Sequence, residues 1–228
     1  MRCSNLLFLA ITVLIVIHSA CDRTASTKTD KNQAEQRQET FGDAQSAATA
    51  SLAAFRKLVN NQNYRDLGFE SAEEVGSSTL GTPLPVVFVR LDQLREYREG
   101  TDLNNILGQS NQINFPVMAQ DQVRSSVVVE QVNGRWKMGT LGNGALAKQV
   151  AALRGGQTVA GGSTQQALVH FGALGIYLLG ERTDNKWTLK SLTDNPDLNL
   201  AAGRAAPAEE VFMRLVPVAK GLRDDAPM

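Results

Sequence analysis

Thiols and imidazoles are scarce in this chain of 228 residues, which holds two cysteines and two histidines. Cys3 and His18 fall within the first 20 residues, and Cys21 follows directly. If those residues leave as a signal and Cys21 is consumed by lipid, no thiol remains. Disulfides, thiolate catalysis and cysteine–zinc sites are then excluded. His170 is left as the lone imidazole, within Ala167-Leu168-Val169-His170-Phe171. That apolar setting predicts a strand residue with a satisfied hydrogen bond, not a base or a metal ligand. A prevailing charge is lacking too, since 23 Lys and Arg oppose 23 Asp and Glu. Loss of residues 1–20 takes only Arg2 from that balance. Nucleic acid requires a clustered basic surface, and anionic lipid a polybasic segment, so neither is an expected partner. The motifs Gly-x-Ser-x-Gly, His-Glu-x-x-His and Gly-Lys-Ser/Thr are absent, and no metal or cofactor is expected.

The N-terminus, by contrast, is strongly ordered in composition. Met1-Arg2-Cys3-Ser4-Asn5 carries positive charge and no acid, and Leu6 to Ile17 is apolar apart from Thr12. His18-Ser19-Ala20-Cys21 follows, giving the order of a secretory signal. The apolar run spans about 18 Å as a helix, short of the roughly 30 Å of a bilayer core. Ser19-Ala20-Cys21 after such a core resembles the lipobox of bacterial lipoproteins, with His18 where an aliphatic residue is usual. The resemblance covers residues 1–21. It implies cleavage by signal peptidase II between Ala20 and Cys21, and acyl chains such as palmitate on Cys21. Two or more chains hold a protein stably on a membrane, so the expected location is the cell envelope. Asp22 resembles the signal that retains lipoproteins in the inner membrane, facing the periplasm.

Residues 21–40 read as the lipidated cysteine and a tether. Between Asp22 and Thr40 the apolar residues are Ala25 and Ala34 alone, too few to offset chain entropy. Some 19 residues of such chain reach about 25 Å. Folding is expected from Phe41, as a lobe over 41–154, a Gly-rich connection over 155–164, and a second part over 165–228. Ala44, Ala47, Ala48, Leu52, Phe55, Leu58 and Val59 recur at helical spacing, with Thr40 and Asp43 as a capping pair. Ser71-x-x-Glu74 suggests a short helical start. Leu84 to Leu91 reads as a strand entered at Pro85, and Asp92 and Asp102 as caps of short turns, the second ending at Gly108.

The clearest local signal is Asn133-Gly134, the preferred type I′ pair, between Val123–Val132 and Arg135–Leu141. Closing that turn sets Gln131 opposite Trp136, Glu130 opposite Lys137 and Val129 opposite Met138. Val127, Val129, Trp136 and Met138 then share one face, with Arg124, Glu130 and Lys137 on the other. A second hairpin over Leu174 to Leu192, with a three-residue loop at 183–185, would set Leu179 opposite Leu189. The two tryptophan-bearing hairpins could record a duplication. Ala145 to Arg154 reads as a helix, as does the segment after Pro207-Ala208-Glu209-Glu210. There Val211, Phe212, Leu215, Ala219 and Leu222 form a stripe that Pro217 bends or ends. The class expected is α+β, helices on antiparallel sheet, as one domain or two small lobes; a cystatin-like arrangement fits.

Candidate chemistry is thin. Gly139 to Gly144 runs from a strand into a helix, a tight turn that could also cradle an anion. Glu73 with Glu74, and Glu209 with Glu210, are adjacent on helix starts and cannot converge on one substrate. Gln157-Thr158-Val159-Ala160-Gly161 resembles the Gln-x-Val-x-Gly loop of cystatins, which implies protease inhibition. No catalytic residue is assigned. The expectation is a non-catalytic binding or assembly module with a protein partner or small ligand. An envelope hydrolase using Asp, Glu or Ser is the alternative.

Overall fold

The computed structural model describes residues 43–154 and 165–222. The leader, Ala20, Cys21, Asp22, the tether, Thr40, the 155–164 connection with its Gln157–Gly161 motif, and residues 223–228 lie outside the described residues. No described helix is long and apolar enough to cross a membrane.

Helices pack on a single nine-stranded sheet, so the class is α+β. Helix α1 is described over 43–58, and a 3-10 turn over Glu73–Ser77 follows. Next come β1 (Thr79–Leu80), β2 (Leu84–Val89), α2 (Leu91–Glu96) and α3 (Asn104–Leu107). A meander then runs through β3 (Gln112–Ala119), β4 (Gln122–Val132) and β5 (Arg135–Leu141) into α4 (Gly144–Arg154). The chain ends on β6 (Gln165–Phe171), β7 (Ile176–Thr183), β8 (Lys186–Ser191), β9 (Ala205–Pro207) and α5 (Ala208–Gly221). The sheet order is β5-β4-β3-β2-β6-β7-β8-β9, with β1 pairing β3 beside β2. All named strand pairings are antiparallel except β2 with β6, where Val86 faces Leu168, Val87 faces Val169, Phe88 faces His170 and Val89 faces Phe171. The two parts expected on either side of 155–164 thus share one sheet.

Alternation along β2 and β6 sends side chains to both faces. On one face Val87, Val89, Val169, Phe171, Leu178 and Leu189 bury against α2, α3 and α5. Phe212 of α5 sits 5.2 Å from Phe171 and 5.0 Å from Tyr97. Burying a residue such as Val211, Phe212 or Leu215 contributes roughly 1.5–3 kcal/mol. On the other face Leu84, Val86, Leu168, Leu179 and Leu192 pack with Val150 of α4. Val211, Phe212, Leu215 and Ala219 of the α5 stripe are buried as expected, but Leu222 lies beyond the helix, and Pro217 lies inside it, since it continues to Gly221. Leu58, expected on the apolar face of α1, is 58% exposed at its end.

The first hairpin has the expected register. Arg124 departs from it. A bulge sets Val117 against Ser125 and Met118 against Val123, leaving Arg124 without a cross-strand partner. The extra residue redirects its side chain. Arg124 therefore does not join Glu130 and Lys137 but is buried against Glu70 and Glu74. In the second hairpin the expected three-residue loop is a two-residue turn, Asp184-Asn185, both at positive φ. Asp and Asn tolerate that conformation, and the shorter loop slips the register by one. Leu179 faces Lys190, and Leu189 faces Gly180. A third turn, Gln120-Asp121, joins β3 to β4.

Gly144, which opens α4, sits close against the backbone of two other segments. A methyl group there would lie 2.7 Å from the Gly68 Cα and 2.8 Å from the Arg124 carbonyl oxygen. Lys148 Nζ donates to the Gly68 carbonyl at 3.0 Å one turn on. Gly144→Ala is expected to destabilise the fold by about 1–3 kcal/mol, because backbone cannot yield as a side chain can. Gly221→Ala, with nothing within 4 Å, should be neutral or stabilising by up to about 1 kcal/mol. Urea denaturation of both variants checks this, and equal effects would contradict the close approach.

Candidate functional site

A cavity of about 260 Å³ opens where α4 lies over the sheet. Ala147, Val150, Ala151 and Arg154 of α4 form its roof, and Asn114, Pro116 and Met118 of β3 its floor, with Val123, Gly81 and Thr82 at the sides. The site follows from local sequence. Proline lacks the N–H that a ladder needs. Pro116 sits where β3 passes from β2, paired at Gln112–Asn114, to β1, paired at Val117–Met118. Its carbonyl accepts from Gly81 N–H at 2.7 Å in that gap. A Cβ on Gly81 would stand 3.3 Å from the Met118 side chain, so the glycine keeps the wall low.

The polar groups here are few and distinctive. Asn114 is 3% exposed, and its Oδ1 has no hydrogen-bond partner. An unpaired buried acceptor costs about 1–3 kcal/mol. Arg154 donates from Nε to Gln166 Oε1 at 3.1 Å and from Nη1 to the Thr82 carbonyl at 3.2 Å. Desolvation lowers its pKa. Glu181, beyond Gln166, is engaged by Lys190 at 2.8 Å. Among the described residues Arg154 makes no ion pair. A second cavity, between Leu178, Leu189 and α5, measures only about 10 Å³ and has room for little more than a water.

Beyond α4 the same sheet face carries an aromatic row across three strands. His170 stacks on Tyr177 at 3.9 Å and 7° between planes, and Phe88 meets His170 edge-on at 5.3 Å. Phe88 is 47% exposed. His170 lies in a strand as expected, but among the described residues its ring makes no hydrogen bond and stacks on Tyr177 instead.

Other singled-out residues take structural roles. In Gly139–Gly144 the strand turns into α4, Asn143 Oδ1 accepts from Leu146 N–H at 3.0 Å as a cap, and Gly144 meets Gly68. Glu73 and Glu74 do stand in the first turn of the 3-10 segment, and Glu74 is in addition buried with Arg124, Nη2 to Oε1 at 3.2 Å. Glu209 and Glu210 do occupy the first turn of α5, with Glu210 paired to Arg214. Asp102 accepts from Asn104 N–H at 2.9 Å, whereas Asp92 lies inside α2, held by Arg90. Among the described residues no cluster of three His, Cys, Asp or Glu could hold a metal. Asn114 and Arg154 were not anticipated as a site. A polar residue amid the apolar pattern of β3 was the available signal.

Comparison with protein-family models, with curated proteins and with solved structures finds no match.

Partial burial lowers the pKa of His170 from its ordinary value near 6.5. The unfolded chain therefore takes up this proton first as pH falls. Stability from neutral His170 is full above about pH 6.5, declines as pH drops through that value, and levels off below the folded-state pKa. His170→Gln should flatten this part of the urea-midpoint profile, by less than the roughly 1.4 kcal/mol per pH unit that one proton allows. Identical slopes for variant and wild type would refute it.

Proposed function

We propose that this chain is a bacterial envelope lipoprotein, held on its membrane by lipid on Cys21, whose folded region is a non-catalytic binding module. The α4 cavity carries the binding half of this reading. Its apolar walls, an unpaired buried acceptor on Asn114 and a cation on Arg154 are the elements of a small-ligand site: shape, apolar area and a few placed polar groups. The signal-like N-terminus and the Ser19-Ala20-Cys21 box support the anchor, and Asp22 favours retention at the inner membrane.

Mass spectrometry of the N-terminal peptide from the native host should find a diacyl or triacyl modification on Cys21 and no leader. Cys21→Ser should keep the leader and lose the lipid mass. An unmodified Cys21 thiol in wild-type protein would overturn the anchor. Turnover of ester, glycoside or phosphate substrates by the purified full chain would overturn the non-catalytic reading.

A further inference from the structure

Taking the α4 cavity as the binding site, we propose that its ligand is a small monocarboxylate with an apolar body and one hydrogen-bond donor. The carboxylate meets Arg154. The donor, an O–H or N–H, meets Asn114 Oδ1, and the apolar body lies against Pro116, Met118 and Val123.

Three observations lead to that chemistry. Arg154 lines the cavity with two of its nitrogens already bonded to neutral acceptors, Gln166 and Thr82. Nη2 makes no hydrogen bond among the described residues, and the charge has no carboxylate partner there. An incoming carboxylate supplies both, as a charge-assisted bond about twice as strong as a neutral one. Next, Asn114 Oδ1 is an acceptor, so the complementary ligand atom is a donor. Finally, about 260 Å³ lies just below the usual range of drug-sized pockets, and the floor and sides are mainly apolar. The ligand is therefore short.

Methionine methyl groups make the test direct. Met118 lines the cavity, whereas Met138 and Met213 are exposed elsewhere and serve as internal controls. The detergent-solubilised full chain, labelled with ¹³C-methyl methionine, is titrated with hexanoate, with 2-, 3- and 6-hydroxyhexanoate, and with hexanol and hexylamine. Hexanoate should shift the Met118 resonance saturably while Met138 and Met213 stay in place; hexylamine should not. The best hydroxyhexanoate should bind about fivefold or more tightly than hexanoate, the gain from satisfying a buried acceptor. Arg154→Gln should weaken every carboxylate about tenfold, with partial recovery in Arg154→Lys. Asn114→Leu should remove the hydroxyl preference while raising the urea midpoint, since an unpaired acceptor is gone. Ala151→Leu, which fills the cavity, should abolish the shift with the control methyls unmoved.

Equal binding of hexanol and hexanoate, or full affinity in Arg154→Gln, would overturn the carboxylate class and leave the cavity as a binding site. A Met118 resonance unmoved by every compound would overturn the site itself.

Discussion

The parallel pairing of β2 with β6 is the constraint on which this fold rests. Four successive pairs, from Val86–Leu168 to Val89–Phe171, join two antiparallel meanders into one sheet. Without them each half would end in an open edge rich in Val, Leu and Phe, the kind of edge that invites aggregation. Parallel strands are stable mainly where both faces are covered. The two strands meet that need, with Val87 and Val169 buried toward α5 and Val86 and Leu168 toward α4. Every other element is placed by its distance from this seam.

The seam also relates the halves. Outward from it run β3, β4 and β5 on one side, and β7, β8 and β9 on the other, each series followed by a helix. Because the central strands are parallel, the two series correspond by a rotation about the strand direction, which exchanges the faces. α4 and α5 accordingly lie on opposite faces. The two tryptophans do not correspond under this relation. Trp136 is on β5, the last strand of its series, and Trp187 on β8, the second of its own. Trp187 is buried, and its Nε1 bonds Asn104 of α3 at 3.1 Å. The paired hairpins thus have separate structural reasons, and the likeness between them carries no duplication.

What could be read from residues alone was local. Asn133-Gly134 fixes its turn by backbone conformation, and the register of the hairpin follows by counting. The helix periodicities of α1 and α5 were equally plain. The slip at Asp184-Asn185 shows the limit of counting: one residue fewer in a loop moved Leu179 from Leu189 to Lys190. β3 went unread because Asn114 and Pro116 interrupt its apolar run. Arg124 was misplaced because a bulge depends on two strands together. The seam joins residues about 80 apart, and no one-dimensional pattern encodes such a pairing. The cavity was hidden for the same reason, since its lining comes from four separated segments, none unusual alone.

Asn114 and Pro116 connect these failures to the proposed site. In an apolar strand between two others, each is the wrong residue for stability: proline forfeits a ladder bond, and a buried amide oxygen without a donor loses its hydration with no return. Proline's cost is small here, because its strand neighbours on that side, β1 and β2, part company where it sits. The same parting leaves Gly81 and Thr82 as a low wall instead of a strand, and the space between them and α4 becomes the cavity. The cost of Asn114 has no such relief within the described residues. A consistent sequence specifies its fold at every level, and local violations concentrate where something other than folding is served. An acceptor left open beneath α4, in a cavity whose guanidinium has no counter-charge among the described residues, is a violation with one direction: both groups lack what a donor-bearing anion has.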